Sequence, residues 1–560
     1  MRLRLKAAAA LLAAVAGAAA LAPSASAQTQ FMSSPTGAFL AGQAAASRLD
    51  LEAAAWFYGF VLQRDPSNTQ LAATVFSLWL EVGNIAAAAP IAATLVGIDP
   101  GFEMGRLVLS SQAIRSGQYQ AALDQIDAIT PVDALGAITV SLLRAWLHQA
   151  VGETDEALAL LDGMTDDYAE FAYFHSALIA DLAGRTDVAL FFAETAVERG
   201  RSIGSTLLHA SLLSRTGDAA SAEQVLIEVL EIIPGQPQVV AALEALRAGE
   251  TLPPPVTDIR TGTATLFFDL ATAVMLQDRG QRSVPYLQLS LRLWPDGPAT
   301  AAALGELLQE LGRYEQAIDT FSLVAPGSPF AAAAILGAAT SDAALGRIDE
   351  AIRRLEPVAA AEPDDVRVAL TLASLYRGAE RFRDAVDAIS PAIAAMDGPD
   401  ENSWRLYFIR ASSLERLGDW EAAEDDFRIA LLLSPNQPDV LNYLGYSMVI
   451  YGGDIDEALG YIQRAVEARP QAGYIIDSLG WAYFHLGRYE DAVVELERAV
   501  ELEPDHPEVA EHLGDAYWRA GREYEAVFQW RHALEFDPPE DAVDRLQEKI
   551  ANGLPDAGAD

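Results

Sequence analysis

The segment LGWAYFHLGRYEDAVVELERAVELEPDHP, residues 479–507, recurs along the chain at a nearly fixed interval. Its break at Gly487-Arg488 and the following Ala492, Ala499 and Pro504 return 34 residues later as Gly521-Arg522, Ala526, Ala533 and Pro538. Leu444-Gly445 precedes Leu479-Gly480 by 35 residues, and Leu513-Gly514 follows it by 34. Weaker copies carry the frame upstream. Turn glycines fall at Gly83, Gly117, Gly152, Gly184 and Gly217, then at Gly280, Gly312 and Gly346, with Glu380 standing in at one turn before Gly418 and Gly453. Leu49 fits the same frame ahead of Gly83. A recurrence this long, about fourteen units, is the mark of a repeat solenoid.

The spacing has a mechanical reading. Each unit divides into two short amphipathic helices, such as 473–486 and 490–502, joined by a tight turn at Gly487. Glycine accepts the helix-ending left-handed conformation that a side chain resists. Ala492, Leu496 and Ala499 fall on one face of the second helix, and small side chains there let two helices approach to about 8–10 Å. Pro504 ends the unit, because it cannot donate within a helix. One hairpin buries too little surface to stand alone, so stacked neighbours must supply the rest. With 560 residues, 51% of them hydrophobic, the chain has the length and apolar content for such a stack. The expected fold is all-α, a solenoid of helical hairpins.

The regularity fails between Gly217 and Gly280, an interval of 63 residues containing TLPPPVTD. Three successive prolines cannot continue a helix. The expected organisation is therefore degenerate helical repeats over 28–250, a Pro-rich linker or irregular crossover over 251–262, middle repeats over 263–403 and well-formed repeats over 404–538. A capping helix follows over 539–551, with a frayed tail at 552–560.

Residues 1–27 have the layout of a cleaved signal peptide. Arg2, Arg4 and Lys6 precede an apolar run from Ala7 to Ala22, and a small-residue site ends at Ala27. The expected location is the periplasm, with no membrane-spanning segment in the mature chain. Loss of this segment takes the net charge from −41 to −44, which disfavours nucleic acid and anionic headgroups as partners. The chain has no cysteine, which excludes disulfides, thiolate metal sites, cysteine nucleophiles and a lipidated cysteine.

The repeat resembles the tetratricopeptide family. Trp481, Tyr483, Gly487, Tyr489, Ala492, Ala499 and Pro504 stand at that family's characteristic positions, most clearly over 404–538, less closely over 300–403 and in degenerate form over 36–233. The resemblance implies a right-handed superhelix whose concave groove binds proteins or peptides, and a role as adaptor or assembly scaffold. The words LNYLGYSMVIYGGDIDEALGYIQRAVEARPQAGYIIDSLGWAYFHLGRYEDAV and EHLGDAYWRAGREYEAVFQWRHALEFDP are also similar to bacterial envelope repeat proteins. Among those are lipoprotein adaptors of a carboxyl-terminal processing protease, from which this chain departs in lacking the lipidation cysteine.

The resemblance places the first helix of each unit on the inner curve. Counting inward positions gives Asn442, Tyr443 and Tyr446; Tyr474, Asp477, Trp481, Phe484 and His485; and Glu511, His512, Asp515, Trp518 and Arg519. Aromatics beside polar groups suit a protein or peptide partner, such as an envelope protease or assembly factor. The same aromatics also serve as packing between helices. Asp477 and Glu511 would repel a terminal carboxylate, which favours a basic or neutral segment.

Catalytic, metal and cofactor sites are not expected. The seven histidines form no HExxH and no cluster at ligand spacing, and no phosphate-binding GxxxxGK[ST] occurs. Acid pairs such as Asp425-Asp426 are abundant because the chain is acidic. Ser211 near His209 lies in no nucleophile-elbow sequence. Two alternatives to the groove adaptor remain: a scaffold acting through its convex face or linker, and a hydrolase with a site in the degenerate N-terminal half.

Overall fold

The computed structural model describes residues 34–555 except 132, 163, 165–168, 276–279 and 397. The signal peptide assigned to 1–27 and the last residues of the tail lie outside the described residues. Thirty helices and no strand are formed among the described residues. In chain order they make fourteen helix–turn–helix pairs and two single helices, Pro237–Arg247 and Glu540–Asn552. The fold is an all-α solenoid of tetratricopeptide-like hairpins. The chain divides into two compact units, Met1–Leu345 and Gly346–Asp560.

The turns show why the period exists. After helix Gly473–His485, Gly487 takes φ 72°, its N–H donates to the Phe484 carbonyl, and the Arg488 N–H reaches back to the Tyr483 carbonyl, each at 2.9 Å. This left-handed cap satisfies carbonyls that the helix end would leave bare. The Arg488 guanidinium then lies 4.3 Å from the Tyr483 ring centroid. The same contact forms at Arg522 over Tyr517, at 4.1 Å, and at Arg381 over Tyr376, at 4.4 Å. A tyrosine four residues before the turn position and an arginine one after it thus lock the hairpin corner through a cation–π contact. Glu380 occupies its turn at φ 58° and Leu49 at φ 60°, so both non-glycine positions of the frame are true left-handed turns.

Two turn assignments are corrected. Gly452, not Gly453, takes the left-handed conformation at φ 82°, because helix Pro438–Tyr451 ends one residue sooner. Gly280 opens helix Gly280–Leu293 and does not take the left-handed turn.

The N-terminal unit contains a feature absent from the repeat frame. Six hairpins from Pro35 to Ile232 are followed by Pro237–Arg247 and the proline stretch. That stretch is pinned: Ser211 Oγ donates to the Pro253 carbonyl at 2.8 Å, the Leu252 N–H donates to Ser214 Oγ at 3.1 Å, and Leu252 and Val256 are buried. Helix begins at Ile259, inside the segment assigned to the crossover. The pair Ile259–Met275 and Gly280–Leu293 then packs mainly against first helices of earlier hairpins, among them Thr69–Glu81, Glu103–Arg115, Ala134–Ala150 and Ala169–Leu182. Trp146 and His175 are fully buried there. The indole N–H donates to His175 Nδ1 at 3.1 Å, and His175 Nε2 stands 3.3 Å from Asp269 on the returning helix. Farther along, Gln288 Nε2 donates to the Glu81 carbonyl at 3.2 Å, and Arg313 pairs with the Glu81 carboxylate. In this unit the chain itself packs over part of the first-helix face, and a cavity of about 620 Å³ remains between Glu103, Ala134, Phe171 and Tyr286.

Candidate functional site

In the C-terminal unit the first helices are Val366–Gly378, Trp404–Arg416, Pro438–Tyr451, Gly473–His485 and Pro507–Arg519. Each approaches its own second helix closely. At Gly445 a Cβ would stand 2.7 Å from the Ala458 carbonyl oxygen, so glycine is what lets Pro438–Tyr451 lie against Ile455–Ala468. This packing fixes the direction of the side chains on the opposite face of Pro438–Tyr451.

These helices line a cavity of about 480 Å³. It contains Asn442, Tyr443, Tyr446, Tyr474 and Asp477 from the sequence-derived set, together with Arg377, Ser412, Glu415, Arg416, His506 and Glu508. Tyr443 packs edge-on to Phe408 with centroids 5.3 Å apart. Tyr474 is held at the rim: its hydroxyl donates to Asp439 at 2.8 Å and accepts from Arg469 at 3.0 Å. Burial raises the Tyr446 phenol pKa well above its ordinary value, and Glu508, Asp477 and Glu415 raise it further, so the hydroxyl stays a donor at neutral pH. Two polar atoms in this cavity are buried with no hydrogen-bond partner among the described residues, Asn442 Oδ1 and Arg377 Nε. Asn442 itself is only 5% exposed.

The other sequence-derived residues occupy a different setting. Trp481 stacks between Phe484, 4.7 Å away, and His512, 3.9 Å away, with His485 edge-on at 4.9 Å. His512 Nδ1 bonds both oxygens of Asp477, at 3.0 and 2.9 Å. Burial opposes charge on this ring, yet the Asp477 carboxylate outweighs it, with Glu508 and Asp515 adding, so the His512 pKa is raised. Glu511 accepts from Arg545 at 2.8 and 3.0 Å and from Lys549 at 2.7 Å. Burial raises the Glu511 pKa, but these two cations outweigh it, and the net shift is downward. Asp515 accepts from Lys549 at 2.6 Å and from the Trp530 indole at 2.8 Å. Trp518 packs against Trp530, with ring centroids 5.5 Å apart, and closely under Gly553. Arg519 is half-buried at the end of its helix.

The thirteen residues therefore separate into a cavity group, Asn442 through Asp477, and an aromatic and ionic network that joins the last hairpin to the terminal helix Glu540–Asn552. This alters the electrostatic argument. Glu511 is paired with Arg545 and Lys549, and Asp477 is hydrogen-bonded to His512, so neither stands as a free carboxylate. Arg377 and Arg416, missed by the sequence count, line the cavity without a carboxylate partner among the described residues. Extending the inward count upstream, to the repeat that begins at 404 and to the less regular copy before it, would have reached them.

Among the described residues no group of three or more His, Asp or Glu side chains is arranged to hold a metal, and no helix is long and apolar enough to cross a membrane.

A stack of helical hairpins whose first helices carry a polar, aromatic-lined cavity belongs to the class of helical-repeat proteins. Tetratricopeptide repeat family profiles match residues 342–407, 410–473 and 449–498, and a TPR repeat profile matches 480–521. Residues 342–407 and 410–521 thus match tetratricopeptide repeats. The TPR repeat-containing protein PA4667 of Pseudomonas aeruginosa is 28% identical over 192 residues, which are 34% of this chain and 31% of that protein. Human tetratricopeptide repeat protein 13 is 28% identical over 186 residues, 32% of this chain and 21% of that protein. The chain thus spans about a third or less of these curated relatives. Among solved structures, a chain of the APC/C hetero-tetramer Cut9–Hcn1 is 15% identical with a TM-score of 0.39, covering 93% of this chain and 97% of that one.

Proposed function

We propose that this chain is a non-enzymatic adaptor that binds a protein or peptide on the first-helix face of its C-terminal unit. The observation that carries this reading is the 480 Å³ cavity that brings together five sequence-derived residues, Asn442, Tyr443, Tyr446, Tyr474 and Asp477, from successive first helices. Such a cavity is within the size range of ligand sites and offers rigid aromatic surface with a few fixed polar groups. The partial covering of the N-terminal unit's first helices by Ile259–Leu293 supports placing the binding face on the C-terminal unit. The layout of residues 1–27 supports export to the periplasm, and the resemblance of the last repeats to envelope adaptors supports service to a protease or an assembly factor there.

A second reading is a scaffold acting through its outer helices. It is favoured by Tyr524 and Phe528, 93% and 65% exposed on helix Glu523–Glu535. A photo-crosslinking residue placed at Tyr446 or at Phe528 in the full chain separates the two. Partner adducts from position 446 that a binding peptide competes away support the adaptor. Adducts from position 528 alone refute it. Cell fractionation with N-terminal sequencing of the mature chain tests export, and a periplasmic form beginning after Ala27 is the expected result.

A further inference from the structure

The 620 Å³ cavity of the N-terminal unit has a chemistry of its own. It lies where the returning pair Ile259–Met275 and Gly280–Leu293 faces the first helices Glu103–Arg115, Ala134–Ala150 and Ala169–Leu182. Much of its wall is apolar: Leu135, Ile138 and Phe171 come from the first helices, Leu270 and Val274 from the returning one. The volume is within the range of small-molecule sites.

Two carboxylates meet at one point of the lining. Asp133 caps helix Ala134–Ala150, its Oδ1 accepting from the Gly136 N–H at 2.8 Å. Glu103, at the start of its own helix, comes to the same place: a Cβ on Gly136 would stand 3.0 Å from both Glu103 oxygens and 3.4 Å from the Asp133 oxygen. Glycine leaves the room that the two acids occupy. Like charges sharing one site make ionisation costly, and burial first, then the Asp133 charge, raise the Glu103 pKa. The Tyr286 phenol feels the same field. Burial, then Glu103 and Asp133, push it up to about 12, so it stays a neutral hydroxyl.

The Glu103 side chain makes no hydrogen bond or ion pair among the described residues, in contrast to the acids of the terminal network. It is half-buried and Asp133 is exposed, so both present accessible oxygens to the cavity they line. The remaining charge of the lining is Arg282, exposed and likewise without an ion-pair partner among the described residues. Two carboxylates against one guanidinium leave one negative charge in excess. A divalent metal ion is a poor complement, because it seeks about six oxygen ligands or more, one of these acids already serves a backbone N–H, and the apolar walls would stay bare. An anion would meet both carboxylates.

We propose that this cavity binds a small organic cation, a protonated amine on an apolar body, with Glu103 and Asp133 holding the ammonium and the apolar walls covering the body. The site is separate from the groove of the C-terminal unit and stands whether or not that groove takes polypeptide. Since its lining is shared between the earlier hairpins and the returning pair, an occupant ties the two together and stabilises the unit by mass action.

The test uses the full chain and dansylcadaverine, a naphthalene fluorophore joined by an alkyl chain to a primary amine. Its N-acetyl derivative, neutral and close in shape, is the control. The amine should bind once per chain with a blue-shifted emission and raise the thermal midpoint, and N-acetylation should weaken binding about tenfold, as loss of a charge-assisted contact does. Glu103→Gln should weaken the amine about tenfold and leave the acetylated form unchanged, with far-UV circular dichroism preserved. Ala273→Trp, which fills the cavity from a half-buried position, should abolish binding of both forms. No binding of the amine, equal affinity for the amine and its acetylated form, or undiminished affinity in Glu103→Gln would overturn the proposal. Full binding to a folded Ala273→Trp chain would overturn it by placing the probe outside the cavity. Displacement of the probe by calcium ion at constant ionic strength, with none by phenethylamine, would overturn it in favour of a metal site.

Discussion

Replacing Gly445 by alanine tests the helix contact that aims the cavity residues. The added Cβ would stand 2.7 Å from the Ala458 carbonyl oxygen, 2.7 Å from Ile462 Cγ1 and 3.3 Å from Tyr461 Cβ. The first neighbour is helix backbone and the second belongs to a fully buried side chain, so neither can turn aside. The helices must part by several tenths of an ångström, an overpacking cost of about 1–3 kcal/mol. Alanine is also a better helix former than glycine by about 1 kcal/mol, which would blur the result taken alone. Gly460, on the second helix of the same hairpin, removes that ambiguity, because nothing lies within 4 Å of its Cβ position. Gly460→Ala collects the propensity gain without the clash. The difference between the two variants isolates the packing cost, and Gly445→Ala is expected to be less stable than Gly460→Ala by about 1–3 kcal/mol. Urea unfolding of the full chain followed at 222 nm measures it, with amide exchange over 438–468 to localise the change should the units unfold separately. Equal shifts of the same sign in both variants would refute the close-contact argument.

Glu380→Gly should raise the thermal midpoint, by relieving a left-handed side chain worth about 1 kcal/mol, and leave the Arg381–Tyr376 contact intact; a lower midpoint would show that the Glu380 side chain holds the turn. The terminal network should also set a pH window. Glu511 has a lowered pKa, so its contribution is present above the unfolded carboxylate value, about 4.3, and is lost as pH falls through its folded value. His512 has a raised pKa, so its contribution is complete below about 6.5 and is lost as pH rises through its folded value. The Glu511 and His512 contributions are therefore both complete between about 4.5 and 6.5, while burial raises the Asp515 pKa, so its own contribution weakens as pH rises, and thermal melts across pH read the sum. His512→Gln should flatten the alkaline side, and an unchanged profile in that variant would count against the Asp477–His512 pair.

The hairpins were legible in the sequence because the left-handed corner and the close helix contact admit so few residues that glycine and alanine recur on schedule. The end of one helix was displaced by a residue where Gly452 and Gly453 adjoin and either could serve. The ionic network was legible in principle, since the interval that stacks one repeat on the next also aligns Asp477 with His512 at 35 residues and both Glu511 with Arg545 and Asp515 with Lys549 at 34. Opposite charges at the repeat interval are thus a contact signal, overlooked while the acids were counted as free. The return of Ile259–Leu293 onto earlier hairpins was not legible. Its contacts, such as Gln288 with Glu81 across 207 residues, follow no period and rest on shape that emerges only when the earlier hairpins are already stacked.

That return has a mechanical consequence. A row of hairpins touching only nearest neighbours behaves like a spring, flexing at each joint and unravelling from its ends. A strut laid across several of them removes those degrees of freedom. Pulled from its termini, the N-terminal unit should resist as one block and yield in a single event, because Arg313 and Glu81, 232 residues apart, must separate before the intervening coils can lengthen.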